Sequence, residues 1–446
     1  LNPKHRYAQP GTYQVTLTVG SDQACERTYT KDITVNARPA AAITSGNACD
    51  GTPIAFADNS TISNGAITGY YWNFGDGTGS NNQNETHTYL QAGVYSINLI
   101  ATSDKGCVGV ASATTTIFAM PQADFSSTSS CEGAATNFTD LSTISSGAIS
   151  SWTWTLGDGA TATGNTPSHT YTTPGNYNVS LVVTTASGCT DSLEKTISVY
   201  PVPVANFAAG NVCLGDTTNF FDQSQVLGGS PFTYSWNFGD GGTSSIGTPS
   251  HGYLTAGSFP VLLTVTTPYG CSNTIMQMVD VYDHPATNFV SGNVCMNSPT
   301  LFMDASTVSD GTITGWAWTL GDGTNATAQN PSHFYNAPGI YPISLETTSN
   351  HGCKSSIIDS IEVYGLPTPS PVSGTGCVNN SIALMDTSSG PNNNIVAWEW
   401  DFGNGVISTD PQTSMSFATS GTHTVSLTTT NANGCRATNK IGRAHV

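Results

Sequence analysis

Eleven cysteines fall into two interleaved series, each stepping by about 82 residues, and their pairing is the first chemistry this chain offers. Cys25, Cys107, Cys189, Cys271, Cys353 and Cys435 form one series; Cys49, Cys131, Cys213, Cys295 and Cys377 form the other. No C-x2-C pair occurs, and even the closest cysteines, such as Cys25 and Cys49, are far apart in the chain, so metal thiolate sites are not expected. Two regularly placed cysteines per small, charge-poor module imply disulfides and an oxidising compartment.

Two aspartate series keep the same step. Asp76, Asp158, Asp240 and Asp322 lie in glycine-flanked turns such as Asn73-Phe74-Gly75-Asp76-Gly77, with Asn404 in the fifth place. Asp58, Asp140, Asp222, Asp304 and Asp386 are never replaced, and each is followed two positions later by Ser60, Ser142, Ser224, Ser306 or Ser388. Calcium takes several hard oxygen ligands, and the second series is the better calcium candidate, the one cofactor the sequence suggests. Both series are read first as Asx turns, in which the carboxylate accepts from nearby backbone N–H groups. Asn404 keeps that bonding without the charge.

His5, His87, His169, His251 and His333 each sit two residues before an aromatic, and Met415 takes the place in the last module. A Ser-His-Asp reading needs one arrangement in one pocket, whereas these histidines recur module after module. A packed or strand-end histidine is the expectation. No Gly-rich phosphate loop, HExxH or G-x-S-x-G is present, so no enzymatic activity is expected of this chain.

The elements that carry these groups repeat without insertion. Trp72, Trp154, Trp236, Trp318 and Trp400 open the aspartate turns, and a corner follows as Pro10-Gly11, Pro174-Gly175 or Pro338-Gly339, softened to Ala92-Gly93, Ala256-Gly257 and Ser420-Gly421. Segments such as Tyr177-Asn178-Val179-Ser180-Leu181-Val182-Val183 alternate apolar and polar residues, as half-buried strands do. Trp152, Trp154 and Leu156 face one way and Thr153 and Thr155 the other; likewise Tyr70, Trp72 and Phe74 face inward and Tyr71 and Asn73 outward. No segment has a capped helical period. The fold class is all-β, with about seven short strands per module forming a two-sheet sandwich.

Composition narrows the partners. Lys and Arg number 11 against 29 Asp and Glu, for a net charge of -18, and only 9% of residues are charged. Nucleic acid and anionic membrane surfaces call for basic residues, and no apolar run is long enough to span a bilayer. Surface proteins or glycans remain as partners. The sequons Asn84-Glu85-Thr86 and Asn137-Phe138-Thr139 are glycosylated only in a host that recognises them.

The W-x-F-G-D-G turn, the later H-x-Y, the P-G-x-Y corner and the final hairpin resemble the polycystic-kidney-disease (PKD) repeat, an immunoglobulin-like β-sandwich. The departures are Leu156 and Leu320 for Phe, and Asn404, Met415 and His423 in the last module. The cysteine-containing form is similar to repeats of long secreted or surface-attached bacterial proteins. The resemblance implies a tandem array: the back part of a repeat at 1–38, repeats at 39–120, 121–202, 203–284 and 285–366, and a truncated one at 367–440. Residues 441–446, Ile441-Gly442-Arg443-Ala444-His445-Val446, read as a translated adapter tail in place of the last strand and are set apart. The chain is thus expected to be a fragment.

In that immunoglobulin-like topology the first cysteine of a repeat lies at the lower pole and the second at the upper, roughly 25 Å apart along a strand, whereas a disulfide needs Cα atoms within about 7 Å. This favours staggered pairs between neighbours: Cys49 with Cys189, Cys131 with Cys271, Cys213 with Cys353 and Cys295 with Cys435. Cys25, Cys107 and Cys377 then look outside the fragment. Pairing within a repeat, which would let each module fold alone, stays open. Staggering would make the array a stiff monomeric rod, and proline linkers such as Tyr200-Pro201-Val202-Pro203 and Asp283-His284-Pro285 stiffen it in either case.

Two functions compete. One is a non-catalytic extracellular stalk that spaces and presents other domains while its loops make weak multivalent protein or glycan contacts. The other is an accessory substrate-binding region of a secreted hydrolase. Most Trp are assigned to cores and Tyr71 is the clear outward aromatic on its strand, which tilts the reading towards the stalk. Tyr13, Tyr95, Tyr177 and Tyr341, with Phe259, match the tyrosine corner of sandwich folds and are read as structural.

Overall fold

The computed structural model describes residues 2–390 and 394–445, and every regular element among them is a strand. The segment 121–202 shows how one module is built. Besides a short pairing of Pro121–Gln122 with Thr143–Ile144, its strands are β1 (Phe125–Ser127), β2 (Ser130–Cys131), β3 (Ala135–Asp140), β4 (Ile149–Thr155), β5 (Thr161–Thr163), β6 (Ser168–Thr170), β7 (Gly175–Thr185) and β8 (Thr190–Tyr200). One sheet has the order β1-β3-β6 and the other β2-β8-β7-β4-β5. Each strand turns its alternate residues inward: Thr136 and Phe138 on β3, Trp154 on β4, and Val179, Leu181, Val183 and Thr185 on β7 are buried. Between the sheets lies a core of Phe125, Phe138, Trp154, Leu156, Tyr171, Val179, Leu181, Val183 and Val199.

The constant step in the chain now has physical causes. Trp154 is fully buried, and its indole Nε1 donates to the Gly164 carbonyl at 2.9 Å, so the largest core side chain leaves no polar atom unpaired. Trp72, Trp236, Trp318 and Trp400 make the equivalent bond at 2.9–3.0 Å. In the following turn Gly157 has φ +84° and a Cβ there would lie 2.8 Å from the Asn178 carbonyl, so both conformation and space require glycine. The corner hydroxyls donate to the carbonyl four residues back: Tyr95 to Gln91, Tyr177 to Thr173 and Tyr341 to Ala337. His423 makes the same contact with Thr419 through Nε2, which accounts for a histidine at a tyrosine position.

The chain divides into two compact units. The first comprises Leu1–Pro203, Val226–Pro231 and Thr266–Ser272; the second comprises Val204–Gln225, Phe232–Val265 and Asn273–Val446. The first contains the leading hairpin, Gly11–Gly20 with Glu26–Val35, and the cores around Trp72 and Trp154. The second contains the cores around Trp236, Trp318 and Trp400.

The segment 441–446 was set apart on sequence, yet Arg436–His445 runs as one strand paired with Thr422–Asn431, its register shifting between His423 and Val425. Ladder bonds come from the backbone, so foreign side chains do not prevent a strand from continuing. Ile441 packs against the fifth core; Val446 lies outside the described residues.

Candidate functional site at the repeat junctions

Four disulfides join Cys49 to Cys189, Cys131 to Cys271, Cys213 to Cys353 and Cys295 to Cys435, with Cα separations of 5.8, 5.6, 5.6 and 5.5 Å. Each spans a sequence separation of 140 and links a module to the next one. The first cysteine of each pair ends a two-residue strand that runs parallel to the end of the last strand of its module: Cys131 opposite Tyr200, Cys49 opposite Phe118, Cys213 opposite Tyr282 and Cys295 opposite Tyr364. That pairing sets the sulfur beside the exit of the chain into the next module. Cys25, Cys107 and Cys377 carry no disulfide among the described residues.

The second cysteine is held by a polar residue four positions earlier. The N–H of Cys107, Cys189, Cys271 and Cys353 donates to the hydroxyl of Ser103, Thr185, Thr267 and Ser349 at 3.1–3.2 Å, and that of Cys435 to Asn431 Oδ1 at 2.9 Å. All five acceptors are buried. In return the cysteine carbonyl accepts from the N–H of the same residue at 2.9 Å, closing the hairpin tip. This acceptor series was missed in the sequence reading although it keeps the same step as the cysteines; its signal is a Ser, Thr or Asn at a position that alternation marks as core.

Aromatic rings add to two junctions. Tyr200 stacks on Tyr269 with centroids 3.9 Å apart, and Tyr282 on His351 at 3.6 Å. His284 bridges backbone carbonyls on either side of the Cys213–Cys353 bond, Nδ1 facing Lys354 O at 2.8 Å and Nε2 facing Leu214 O at 2.9 Å. Beside the Cys49–Cys189 bond opens a cleft of about 470 Å³, bounded by residues such as Gly93, Phe118, Ile144 and Ala186 and by no charged side chain.

The turn aspartates and the histidines, treated separately in the sequence reading, come together. His87, His169, His251 and His333 place Nε2 2.6–2.7 Å from Oδ2 of Asp76, Asp158, Asp240 and Asp322. Burial pushes these carboxyls up, but the hydrogen bonds from the histidine and the turn outweigh it and hold all four below the usual carboxylate value, Asp322 down to about 2. Burial and the same carboxylates push the neighbouring Tyr171 and Tyr253 hydroxyls up to about 12. The missed signal is that the aspartate and the histidine are replaced together, by Asn404 and Met415 in one module.

A hydroxyl also reaches the dyad in two modules, yet the order of contacts is not that of a catalytic triad. Thr78 Oγ1 donates to Asp76 Oδ1 at 2.6 Å and lies 3.4 Å from His87 Nε2, the ring nitrogen that already faces the carboxylate. A triad needs the acid on one ring nitrogen and the nucleophile on the other. Thr324, Asp322 and His333 repeat the arrangement, while Ala160 and Gly242 supply no hydroxyl.

The second aspartate series spends both oxygens on donors. Asp140 Oδ1 accepts from the Ser142 N–H at 3.0 Å and Oδ2 from Trp152 Nε1 at 2.7 Å. Asp304 and Asp386 do the same with Ser306 and Trp316 and with Ser388 and Trp398. Asp222 accepts from Ser224 and Tyr234, and Asp58 from Ser60, Gln83 and Tyr70. Among the described residues no three His, Cys, Asp or Glu side chains converge as a cation would require.

The sequence profile of the family described as PKD domain matches residues 36–119, 118–201, 199–281, 283–363 and 369–446. The pre-pro-metalloprotease PrtV of Vibrio cholerae is 29% identical over 175 residues, covering 38% of this chain and 18% of its own length. Human polycystin-1 is 23% identical over 462 residues, covering 95% of this chain and 10% of its own length. The chain therefore spans less than a fifth of either relative. The crystal structure of the PKD1 domain from the Vibrio cholerae metalloprotease PrtV is 36% identical and covers 18% of this chain and 96% of that domain, with a TM-score of 0.17.

Proposed function

The chain belongs to the PKD-domain family, and from that premise we propose that it is a non-catalytic extracellular region that spaces and presents other domains, its loops making weak, multivalent protein or glycan contacts. Family membership and disulfides point to an extracellular location. The observation that carries the spacer reading is that every disulfide joins one module to the next rather than closing a module on itself. A bond so placed constrains the junction, which matters for holding neighbours in position and adds nothing to a binding face within one module. Surface acidity fits a partner that is neither nucleic acid nor an anionic membrane.

A second reading has one observation in its favour: a relative is named as a pre-pro-metalloprotease. On that reading the modules are an accessory region that holds a hydrolase on its substrate. Retention of the labelled chain on collagen fibrils, chitin and cellulose separates the two. A spacer shows weak retention that grows with the number of modules, as multivalency dictates; saturable micromolar retention by a single module would replace the spacer reading with the accessory one.

A further inference from the structure

Covalent connectivity alone sets how far this chain can be drawn out, whatever the orientation of its modules. The four disulfide-closed segments, 49–189, 131–271, 213–353 and 295–435, overlap in sequence. Tension across Cys49 to Cys435 is limited by the shortest covalent route between them. One route crosses from Cys49 to Cys189, follows the backbone on to Cys213, crosses to Cys353, follows the backbone in reverse to Cys295 and crosses to Cys435. Another also crosses from Cys49 to Cys189, then follows the backbone in reverse to Cys131, crosses to Cys271, follows the backbone on to Cys295 and crosses to Cys435. Each route contains about 82 residues of extensible backbone, one module's worth, whereas the uninterrupted chain from Cys49 to Cys435 contains about 390 residues.

We propose that residues 49–435 act as a tension-bearing tether of covalently capped reach, in which the sandwiches open under load and close again without the chain paying out its full length. The proposal rests on the spacer reading. At about 3.5 Å per extended residue the cap is roughly 290 Å with every sandwich open, against roughly 1,350 Å without the disulfides.

Two features suit the role. The two routes share their outer disulfides and use different inner ones, so loss of either Cys131–Cys271 or Cys213–Cys353 leaves the cap unchanged. Load also enters a module along its strands. Cys353 immediately precedes the strand Lys354–Tyr364, and Cys295 is paired with the last residue of that strand. Tension between them runs along the strand axis and shears the parallel pairing of Val294 and Cys295 with Val363 and Tyr364.

The test is single-molecule extension of the full chain, anchored at its two ends, before and after reduction with dithiothreitol. Reduction is expected to add about 300 residues of contour, roughly 1,000 Å. The Cys213→Ser/Cys353→Ser variant keeps the wild-type cap, whereas Cys49→Ser/Cys189→Ser lengthens it by about 24 residues, roughly 80 Å. Pairing within modules would make each of these variants lose two bonds and lengthen by about 120 residues, roughly 400 Å, and that result overturns the connectivity and the tether with it. An oxidised chain that stops at the expected cap but does not recover its folded length on relaxation overturns the load-bearing role and leaves the spacer reading standing.

Discussion

Cys131 and Cys271 are separated by 140 in sequence and stand 5.6 Å apart between Cα atoms, joined through their sulfurs. Cys131 reaches this position because β2 lies against the end of β8. Cys271 reaches it because its hairpin tip is closed by Thr267, whose buried hydroxyl accepts from the Cys271 N–H. A two-residue strand and a buried hydroxyl together place the bond.

The buried acceptor is therefore a positioning residue for the disulfide. Thr185→Val keeps the shape and strand preference but leaves the Cys189 N–H without its side-chain acceptor. Such a loss costs about 1–3 kcal/mol. Chemical denaturation is expected to show that decrease for Thr185→Val and almost none for Thr185→Ser; equal stability of all three proteins would remove the hydroxyl from the account.

Acid should weaken four modules more than the fifth. The turn aspartates are held below their unfolded value of 3.8, so their contribution is complete above about pH 4 and is lost as the pH falls through their lowered values, for Asp322 about 2. The fifth module carries Asn404 there and lacks this contribution. Hydrogen exchange between pH 4 and pH 2 is expected to show earlier loss of protection around His87, His169, His251 and His333 than around Met415. Uniform loss across the five would contradict it.

Replacing Asp140 and replacing Asp158 together with its histidine should have different costs. Asp140 accepts from two N–H donors, one on each oxygen, and an amide can satisfy only one of them. Asp140→Asn is expected to cost about 1–3 kcal/mol. Asp158→Asn with His169→Met, which copies the fifth module, is expected to cost less in the same denaturation measurement, because the amide oxygen keeps the turn bond as Asn404 does and only the pairing with the histidine is lost. Comparable losses in both variants would mean that the two series do not differ as their contacts indicate.

Truncating one indole should melt one module. Trp318 is buried and bonded to the Ala328 carbonyl; Trp318→Ala is expected to cost about 3–5 kcal/mol. Calorimetry should then resolve an early transition absent from the parent chain, and an unchanged profile would show that the core does not depend on the ring.

Much of this was legible because repetition separates constraint from accident. Trp154 alternating with Thr153 and Thr155 gives the strand and its buried face, and the constant step between cysteines gives the modules. The aspartate series also shows why one position tolerates Asn and the other never changes, once the donors around Asp140 are known. What the sequence hid depends on contacts between distant segments. Thr185 looks like any strand threonine until its hydroxyl is seen beside the Cys189 N–H, and Asp76 and His87 look unrelated until the turn folds over the strand. The continuation of the last strand through Arg443 was equally hidden, because backbone pairing leaves little mark on side-chain identity.

Non-reducing peptide mapping of the oxidised chain by mass spectrometry tests the central claim most directly. The account predicts linked peptides containing Cys131 with Cys271 and Cys213 with Cys353. Peptides linking Cys131 with Cys189 would contradict it, since each module would then be closed on itself and the junctions would carry no covalent bond beyond the chain.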